Sequence, residues 1–267
     1  MDIIFFLKKY YKLTFLLLFQ TLNFNAEAQY QRAIKPENAY EPGEELLYTI
    51  KVGIIHGGNA SLRLDKTTLD NRTVFHAVGE GRTVGVTNAI YNVVDIYESY
   101  FDVNTTLPYK SIRNIKEGGY KRYQEAYFDH EKNTAYSQRL DSLIKTPEGI
   151  LDMISLIYFL RTLDFRNLKK GDVINTPTLF DDEVFAFALR YKGKEEVKTK
   201  FGKINCFRFD PVVATGRVFK SEDDMSFWIS DDSNRIPVKV KFDMILVSLR
   251  LELDNYSNLK YPLVFLP

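Results

Sequence analysis

The chain has 267 residues, 36 basic and 35 acidic side chains for a formal charge of +1, and an aromatic content of 14% that includes 20 Phe and 17 Tyr. A near-neutral chain without a basic run lacks the phosphate-neutralising charge of a nucleic-acid binder and the polybasic patch of an electrostatic membrane anchor. Its single cysteine, Cys206, excludes an internal disulfide, so a large and strongly aromatic core must hold the fold.

The N-terminus carries Lys8, Lys9 and Lys12, then an apolar run over residues 13–19, then Ala26 and Ala28 at the small-residue positions of a secretory cleavage site. This pattern predicts a signal peptide over residues 1–28, cleaved before Gln29. The apolar run falls short of the roughly 20 residues a spanning helix needs, so the mature chain is expected to have no transmembrane span. Loss of Asp2, Lys8, Lys9, Lys12 and Glu27 leaves basic and acidic side chains in equal number. Residues 29–40 are polar and aperiodic and read as an extended lead-in, followed by one β-rich domain over 41–267.

Glu41-Pro42-Gly43 is a turn, after which Leu46, Tyr48, Ile50, Val52 and Ile54 alternate as one face of a strand. His56-Gly57-Gly58-Asn59 reads as the hairpin turn into a second strand at Ala60, Leu62 and Leu64. Further strands are predicted over 73–78, 94–103, 109–116, 120–129 and 134–139, with a helical turn near 87–93. Beyond residue 172 the strand pattern resumes over 184–191, 195–199, 204–209 and 225–229. It is sharpest over 236–244 and 247–253, where Val238, Val240 and Phe242 oppose Lys239, Lys241 and Asp243. Residues 254–267 read as a mostly irregular tail.

Residues 146–165 form the one segment with helical periodicity. Thr146 suits the N-cap, Pro147 the first helical position and Glu148 the positive end of the dipole. Glu148, Asp152, Ser155, Thr162 and Arg166 share a polar stripe, and apolar residues fill nearly all the remaining circumference. A helix apolar on so many sides needs a surface that wraps around it, so the expected fold class is mainly β with one long helix, a curved antiparallel sheet or open barrel embracing that helix. Arg161 interrupts the apolar face. A buried guanidinium needs partners: last-turn carbonyls or Asp164 if it is structural, an anionic ligand if it is a site.

Catalytic and metal signatures are weak. His56, His76 and His130 are far apart in sequence, no metal-ligand spacing is present, and no Gly-x-Ser-x-Gly elbow offers a nucleophile. Cys206 on a strand reads as packing. Asp181-Asp182-Glu183, Asp223-Asp224 and Asp231-Asp232 read as solvated turns, since none has the alternating spacing of a calcium loop. No catalytic residue, metal or cofactor is therefore assigned.

Gly43-Glu44-x-Leu46-x-Tyr48, Gly58-x-Ala60, Asp95-x-Tyr97-Glu98-Ser99, Asp152-x-x-Ser155-x-x-Tyr158-x-x-Arg161, Gly171-Asp172 and Trp228-x-Ser230-Asp231-Asp232-x-x-Arg235-x-Pro237-Val238 together set a pattern. It resembles that of the exported bacterial proteins grouped as domain of unknown function 3108, over about residues 40–253. The resemblance implies a periplasmic or envelope-associated β protein with no established activity. Arg161, Tyr158, Tyr48, Tyr97 and Trp228 are the candidate ligand-binding residues. Tyr48, Tyr97, Tyr123, Tyr127 and Tyr136 recur on strands, where rings with polar tips suit the rim of an apolar cavity of at least about 300 Å³. The expected function is non-enzymatic binding of an apolar or amphipathic small ligand in the cell envelope. Alternatives are an envelope assembly module with a protein partner, or a hydrolase with an unrecognised site.

Overall fold

A computed structural model describes residues 39–212, 225–243 and 248–267. The signal-peptide and cleavage-site expectations, most of the lead-in and Asp223-Asp224 lie outside them. Among the described residues fourteen strands form a single antiparallel sheet. The first run is β1 (Glu45–Val52), β2 (Ile55–Leu69), β3 (Arg72–Thr83), β4 (Val93–Asp102), β5 (Pro108–Glu117), β6 (Tyr120–Asp129), β7 (Thr134–Ser137) and β8 (Ser142–Lys145). The second is β9 (Val173–Phe180), β10 (Glu183–Thr199), β11 (Gly202–Pro211), β12 (Met225–Ser230), β13 (Pro237–Asp243) and β14 (Ser248–Ser257). Within each run every strand pairs with its sequence neighbour, and β1 joins the runs by pairing with β14. A short helix, α1 (Gly85–Ile90), links β3 to β4, and α2 (Met153–Thr162) lies between the two runs.

The sheet is open, with β8 and β9 at its ends, and it curls around α2. Ile154 and Tyr158 pack with Leu46, Tyr48, Leu62, Phe75 and Phe101 from β1 to β4. Leu156, Phe159 and Leu160 pack with Leu189, Tyr191, Phe207, Phe209 and Ile229 from β10 to β12. The two apolar sides of one helix thus take the two halves of one sheet, which is how a sheet can bury a helix on most of its circumference.

Several boundaries differ from the sequence reading, each for a local reason. The β1–β2 turn falls at Gly53, whose φ of +61° a glycine adopts without a Cβ penalty. His56 to Asn59 belong to β2, with a register shift at Gly57, and Ile54 leaves the strand face for the turn. The short strand β8 and the Thr-rich, Pro-containing β9 have little apolar alternation and were not predicted. β10 is one strand, not two, because a bulge next to Gly193 preserves pairing.

The helix starts at Met153, not after Thr146. Asp152 is its N-cap: Oδ1 accepts from the backbone N–H of Ile154 at 2.7 Å and of Ser155 at 2.9 Å, and Ser155 Oγ accepts from the Asp152 N–H at 2.9 Å. This reciprocal box satisfies donors that a buried helix end must pair. Asp152, Ser155 and Thr162, which the periodicity places on the polar stripe, are all buried.

Residues 146–151 run up the gap between the sheet ends. Leu151 makes a parallel bridge to β9, its N–H donating to Pro177 O at 2.9 Å and its carbonyl accepting from the Leu179 N–H at 2.7 Å. Asp181 and Asp182, in the β9–β10 turn at φ +53° and +65°, reach across to the other run. Asp181 accepts from Arg113 of β5 at 2.8 Å and from Arg122 of β6 at 3.2 Å. Asp182 accepts from Gln124 at 2.7 Å and Arg139 at 2.6 Å. These aspartates are not a solvated turn. They staple the seam of a barrel whose backbone hydrogen bonding does not close.

Candidate functional site

Arg161 is fully buried at the C-terminal end of α2. Its partner is neither Asp164, which pairs with Arg166, nor a last-turn carbonyl, but the equally buried Glu44. The fork is bidentate, Nη1 to Oε1 at 2.5 Å and Nη2 to Oε2 at 2.7 Å, while Nε donates to Asn234 O at 3.0 Å and Nη2 to Ala39 O at 3.3 Å. The guanidinium lies 5.1 Å from the Tyr40 ring centroid and 5.4 Å from that of Tyr158. Burial works against its charge, but the Glu44 carboxylate outweighs burial, and its pKa lies above the ordinary arginine value. Tyr48 adjoins this centre and donates its hydroxyl to Pro237 O at 3.0 Å.

The turn after β12 completes the arrangement. Asp232 Oδ1 accepts from Ser230 Oγ at 2.8 Å and from the N–H groups of Asn234 and Arg235 at 2.9 and 3.1 Å. That geometry aims the Asn234 carbonyl at Arg161. Asn234 also exchanges hydrogen bonds with Tyr261 of the C-terminal segment. At the other end of α2, Ser99 of β4 donates to Asp152 Oδ2 at 2.5 Å. Residues carrying the sequence resemblance, from β1, β4, α2 and the β12–β13 turn, thus converge on one helix and lock it in place.

A second constellation lies along the seam, where Tyr97, Arg113, Gln124, Asp152, Phe180, Asp181 and Asp182 line a cavity of about 50 Å³. Burial pushes the Asp152 carboxyl up to about 6 against the hydrogen bonds from Ser99, Ser155 and Ile154 that pull it down. Burial likewise pushes the Tyr97 hydroxyl up to about 12. The Arg113 guanidinium sits 4.8 Å from the Phe180 ring centroid. This cavity is small and charged, and it is no acyl pocket.

The third feature is a wall that sequence reasoning missed. Because α2 fills only the half of the barrel toward Arg161, the inward face of β1, β14, β13 and β12 continues past it. Cross-strand pairing aligns Ile50, Leu251, Val240 and Phe227 in one row and Val52, Leu249, Phe242 and Met225 in the next. Val240 and Met225 are buried, whereas Ile50, Val52, Leu249, Leu251, Phe227 and Phe242 remain only half-buried. Gly58 and Gly57 give Ile50 and Val52 room to lie over β2. The alternation in β13 and β14 was legible in the sequence. Which end of the barrel the helix would leave uncovered was not.

The remaining predicted residues sit apart. Trp228 is on the opposite face from Phe227, its ring between the Arg208 guanidinium at 5.6 Å and the Lys239 ammonium at 5.0 Å, with its indole N–H donating to Glu195 at 2.8 Å. Tyr123, Tyr127 and Tyr136 do not rim a cavity. They alternate with the inward Gln124, Ala126 and Ala135 and therefore face outward, with Tyr123 and Tyr127 bonded to Glu125 and Tyr136 to Asp141. His76 pairs with Glu98 at 2.8 Å and His130 with Pro108 O at 2.7 Å. Burial pushes the Cys206 thiol up to about 12, so it stays protonated. Among the described residues no cluster of His, Cys, Asp and Glu is placed to hold a metal, and no helix is long and apolar enough to cross a membrane.

An open, barrel-like antiparallel sheet packed around one locked helix, with six apolar side chains of its inward face only half-buried, defines the class of protein. The model of a family described as a protein of unknown function, DUF3108, matches residues 47–254, and the chain belongs to that family. Its fold is similar to the crystal structure of a β-barrel-like protein of domain of unknown function DUF1849 from Brucella abortus. The two are 8% identical with a TM-score of 0.52, over 82% of this chain and 98% of that one. A DUF1089 family protein from Pseudomonas aeruginosa is 9% identical with a TM-score of 0.37, over 66% of this chain and 87% of that one. No curated protein sequence matches the chain. At these identities the structural likeness concerns the fold alone.

Proposed function

We propose that the chain is exported to the cell envelope and there binds, without chemistry, an amphipathic small molecule in the half of its barrel that α2 leaves uncovered. The observation that carries this reading is the half-buried inward wall of Ile50, Val52, Leu249, Leu251, Phe227 and Phe242. Apolar side chains on the concave face of a sheet are ordinarily covered. Covering them is worth on the order of 1 kcal/mol each, about 6 kcal/mol gross before the costs of ordering a ligand. The export half of the reading rests on Lys8 to Lys12, the apolar run after them, and Ala26 and Ala28.

Arg161 has no part in holding the ligand. Its charge is matched by Glu44, and its role is to fix the helix that floors the wall. Native mass spectrometry of protein recovered from an envelope fraction tests the reading: an adduct removable by organic solvent is expected. Protein that carries no adduct, and takes none up from a lipid extract, would contradict it.

A further inference from the structure

Twelve large apolar side chains are exposed among the described residues, and four of them cluster at one place: Ile54 at 95%, Ile55 at 59%, Val86 at 72% and Ile90 at 47%. They come from two neighbouring connections, the β1–β2 turn and α1. The connections touch: the Val84 N–H donates to Gly57 O at 3.1 Å, and a Cβ on Gly57 would lie 3.5 Å from Thr87 Oγ1. Gly53 and Gly85, at φ +61° and +54°, turn the chain so that Ile54 and Val86 point away from the barrel. Isolated exposed aliphatics are ordinary, but four on adjoining tips form a patch that a solvated monomer has no reason to keep.

Two properties separate this patch from a protein-docking groove. It is convex, made of turn tips with no concavity to receive a helix and no free strand edge to receive a strand, because β1 and β2 are both paired on each side. It also carries no acidic residue of its own. Residues 46–64 and 81–94 contain no Asp or Glu, and Lys51, opposite His56, and Arg82, opposite Asn59, are the cations on the strands nearest the tips. Just behind the tips, Arg250 donates to Gly53 O at 2.6 Å. The nearby acids are already engaged, Glu252 with Lys51, Glu80 with Arg82 and Arg63, and Asp243, bonded to the Ser248 that accepts from Gly53, with Lys241. Glu117, in the adjacent β5–β6 hairpin, is flanked by Lys116 and Lys121. Aliphatic tips backed by cations fit the interface of a bilayer with anionic head groups, where apolar residues enter the acyl boundary and basic residues meet phosphate.

The position of the patch matters as much as its chemistry. Val52, the last residue of β1 before the tip, belongs to the outermost row of the half-buried inward wall, paired with Leu249 and through it with Phe242. The exposed tip is therefore continuous with the apolar interior at the end of the barrel that the helix leaves uncovered. We propose that the barrel docks end-on to a lipid surface through Ile54, Ile55, Val86 and Ile90, which sets its apolar wall against the bilayer from which an amphipathic ligand would be drawn or into which it would be released. This rests on the binding reading above for its purpose, though not for its evidence.

The test is vesicle flotation of protein recovered from the envelope of expressing cells. It uses mixed phosphatidylethanolamine and phosphatidylglycerol vesicles beside phosphatidylcholine vesicles. Wild type is expected to float with the mixed vesicles and more weakly with phosphatidylcholine. Ile54→Ser with Ile55→Ser, and separately Val86→Ser with Ile90→Ser, should each lower partitioning about tenfold or more, since each pair removes several methylene equivalents from the interface. Leu143→Ser, an exposed aliphatic on β8, should leave flotation unchanged. A soluble fluorescent fatty acid, titrated without vesicles, reads the binding site separately. The tip variants should bind it like wild type, and Leu251→Arg should lose it while still floating. Wild type that floats with neither vesicle, or tip variants that float as wild type does, would overturn the proposal. So would a wild-type dimer that the tip substitutions dissociate without any flotation, which would give the patch to a second copy of the chain.

Discussion

Replacing Arg161 by Met should cost the fold about 3 to 5 kcal/mol. The figure follows from what the substitution leaves behind: Glu44, 1% exposed, keeps a carboxylate whose two oxygens lose their bidentate partner. Breaking a buried pair from one side typically costs that much, because the surviving charge is stranded in a poorly solvating interior. Glu44→Gln should cost less, about 2 to 3 kcal/mol, since the guanidinium retains the carbonyls of Asn234 and Ala39 and the faces of Tyr40 and Tyr158. The double variant Glu44→Gln, Arg161→Met removes both charges at once. It should cost distinctly less than the sum of the two single changes, with a coupling of at least about 2 kcal/mol. In a domain of this size the Arg161→Met loss corresponds to a fall in Tm of roughly 6 to 20 °C. Urea unfolding followed by the fluorescence of Trp228 measures all three variants on one scale. Additive costs, or a loss below about 0.5 kcal/mol for Arg161→Met, would refute the claim that this pair is buried and mutually dependent.

Four further outcomes follow from other parts of the chain. Ser99→Ala should cost about 1 to 2 kcal/mol by removing a donor from the buried Asp152 cap, and a neutral result in urea unfolding would show that Asp152 is solvated. Asp152 itself has its carboxyl raised from 3.8 to about 6. The folded state therefore holds that proton more tightly, and stability from this group is greatest at low pH and lost as pH rises through about 4 to 6. The loss is up to about 3 kcal/mol. Subtracting the pH profile of Asp152→Asn from that of wild type should expose this decline, and parallel profiles would contradict it. Asp181→Asn with Asp182→Asn should open the seam, speeding amide hydrogen exchange in β9 well before β2; equal protection in the two strands would show that the aspartates do not hold the edges together. Intact mass of the exported protein should give Gln29 as its first residue, and a mass that retains residues 1–28 would exclude the expected cleavage.

How far the sequence could be read depended on whether a signal was local. Strands with period-two apolar alternation, such as β13 and β14, and a helix apolar on two sides were both evident, and together they required a sheet curled around a helix. The start of that helix was not evident, because Thr146-Pro147-Glu148 carries all the local marks of an N-terminus, whereas the actual cap, Asp152, wins through Ser155 and through Ser99 on a distant strand. Arg161 was conspicuous as a buried charge, yet Glu44 lies 117 positions away in sequence, and no spacing rule links them. Asp181 and Asp182 looked like a solvated turn because the arginines that bury them belong to β5, β6 and the turn after β7. Tyr123, Tyr127 and Tyr136 have the same composition whichever face they occupy; only the register with Gln124 and Ala126 shows that they face outward. The exposed tip was hidden for a similar reason, since Ile54 continues the alternation of β1 and only the turn at Gly53 removes it from the strand.

Ligand carriage requires that the inward wall beyond α2 receive an amphipathic molecule. A titration with a fluorescent fatty acid, comparing wild type with Leu251→Arg after solvent extraction of both, tests this most directly. Leu251 stands in the middle of the wall, between Ile50 and Val240, and away from the Arg161 lock. Saturable binding by wild type that a folded Leu251→Arg protein has lost, at least about tenfold in affinity, is the predicted result. Equal binding by the two proteins, or none by wild type, would contradict it.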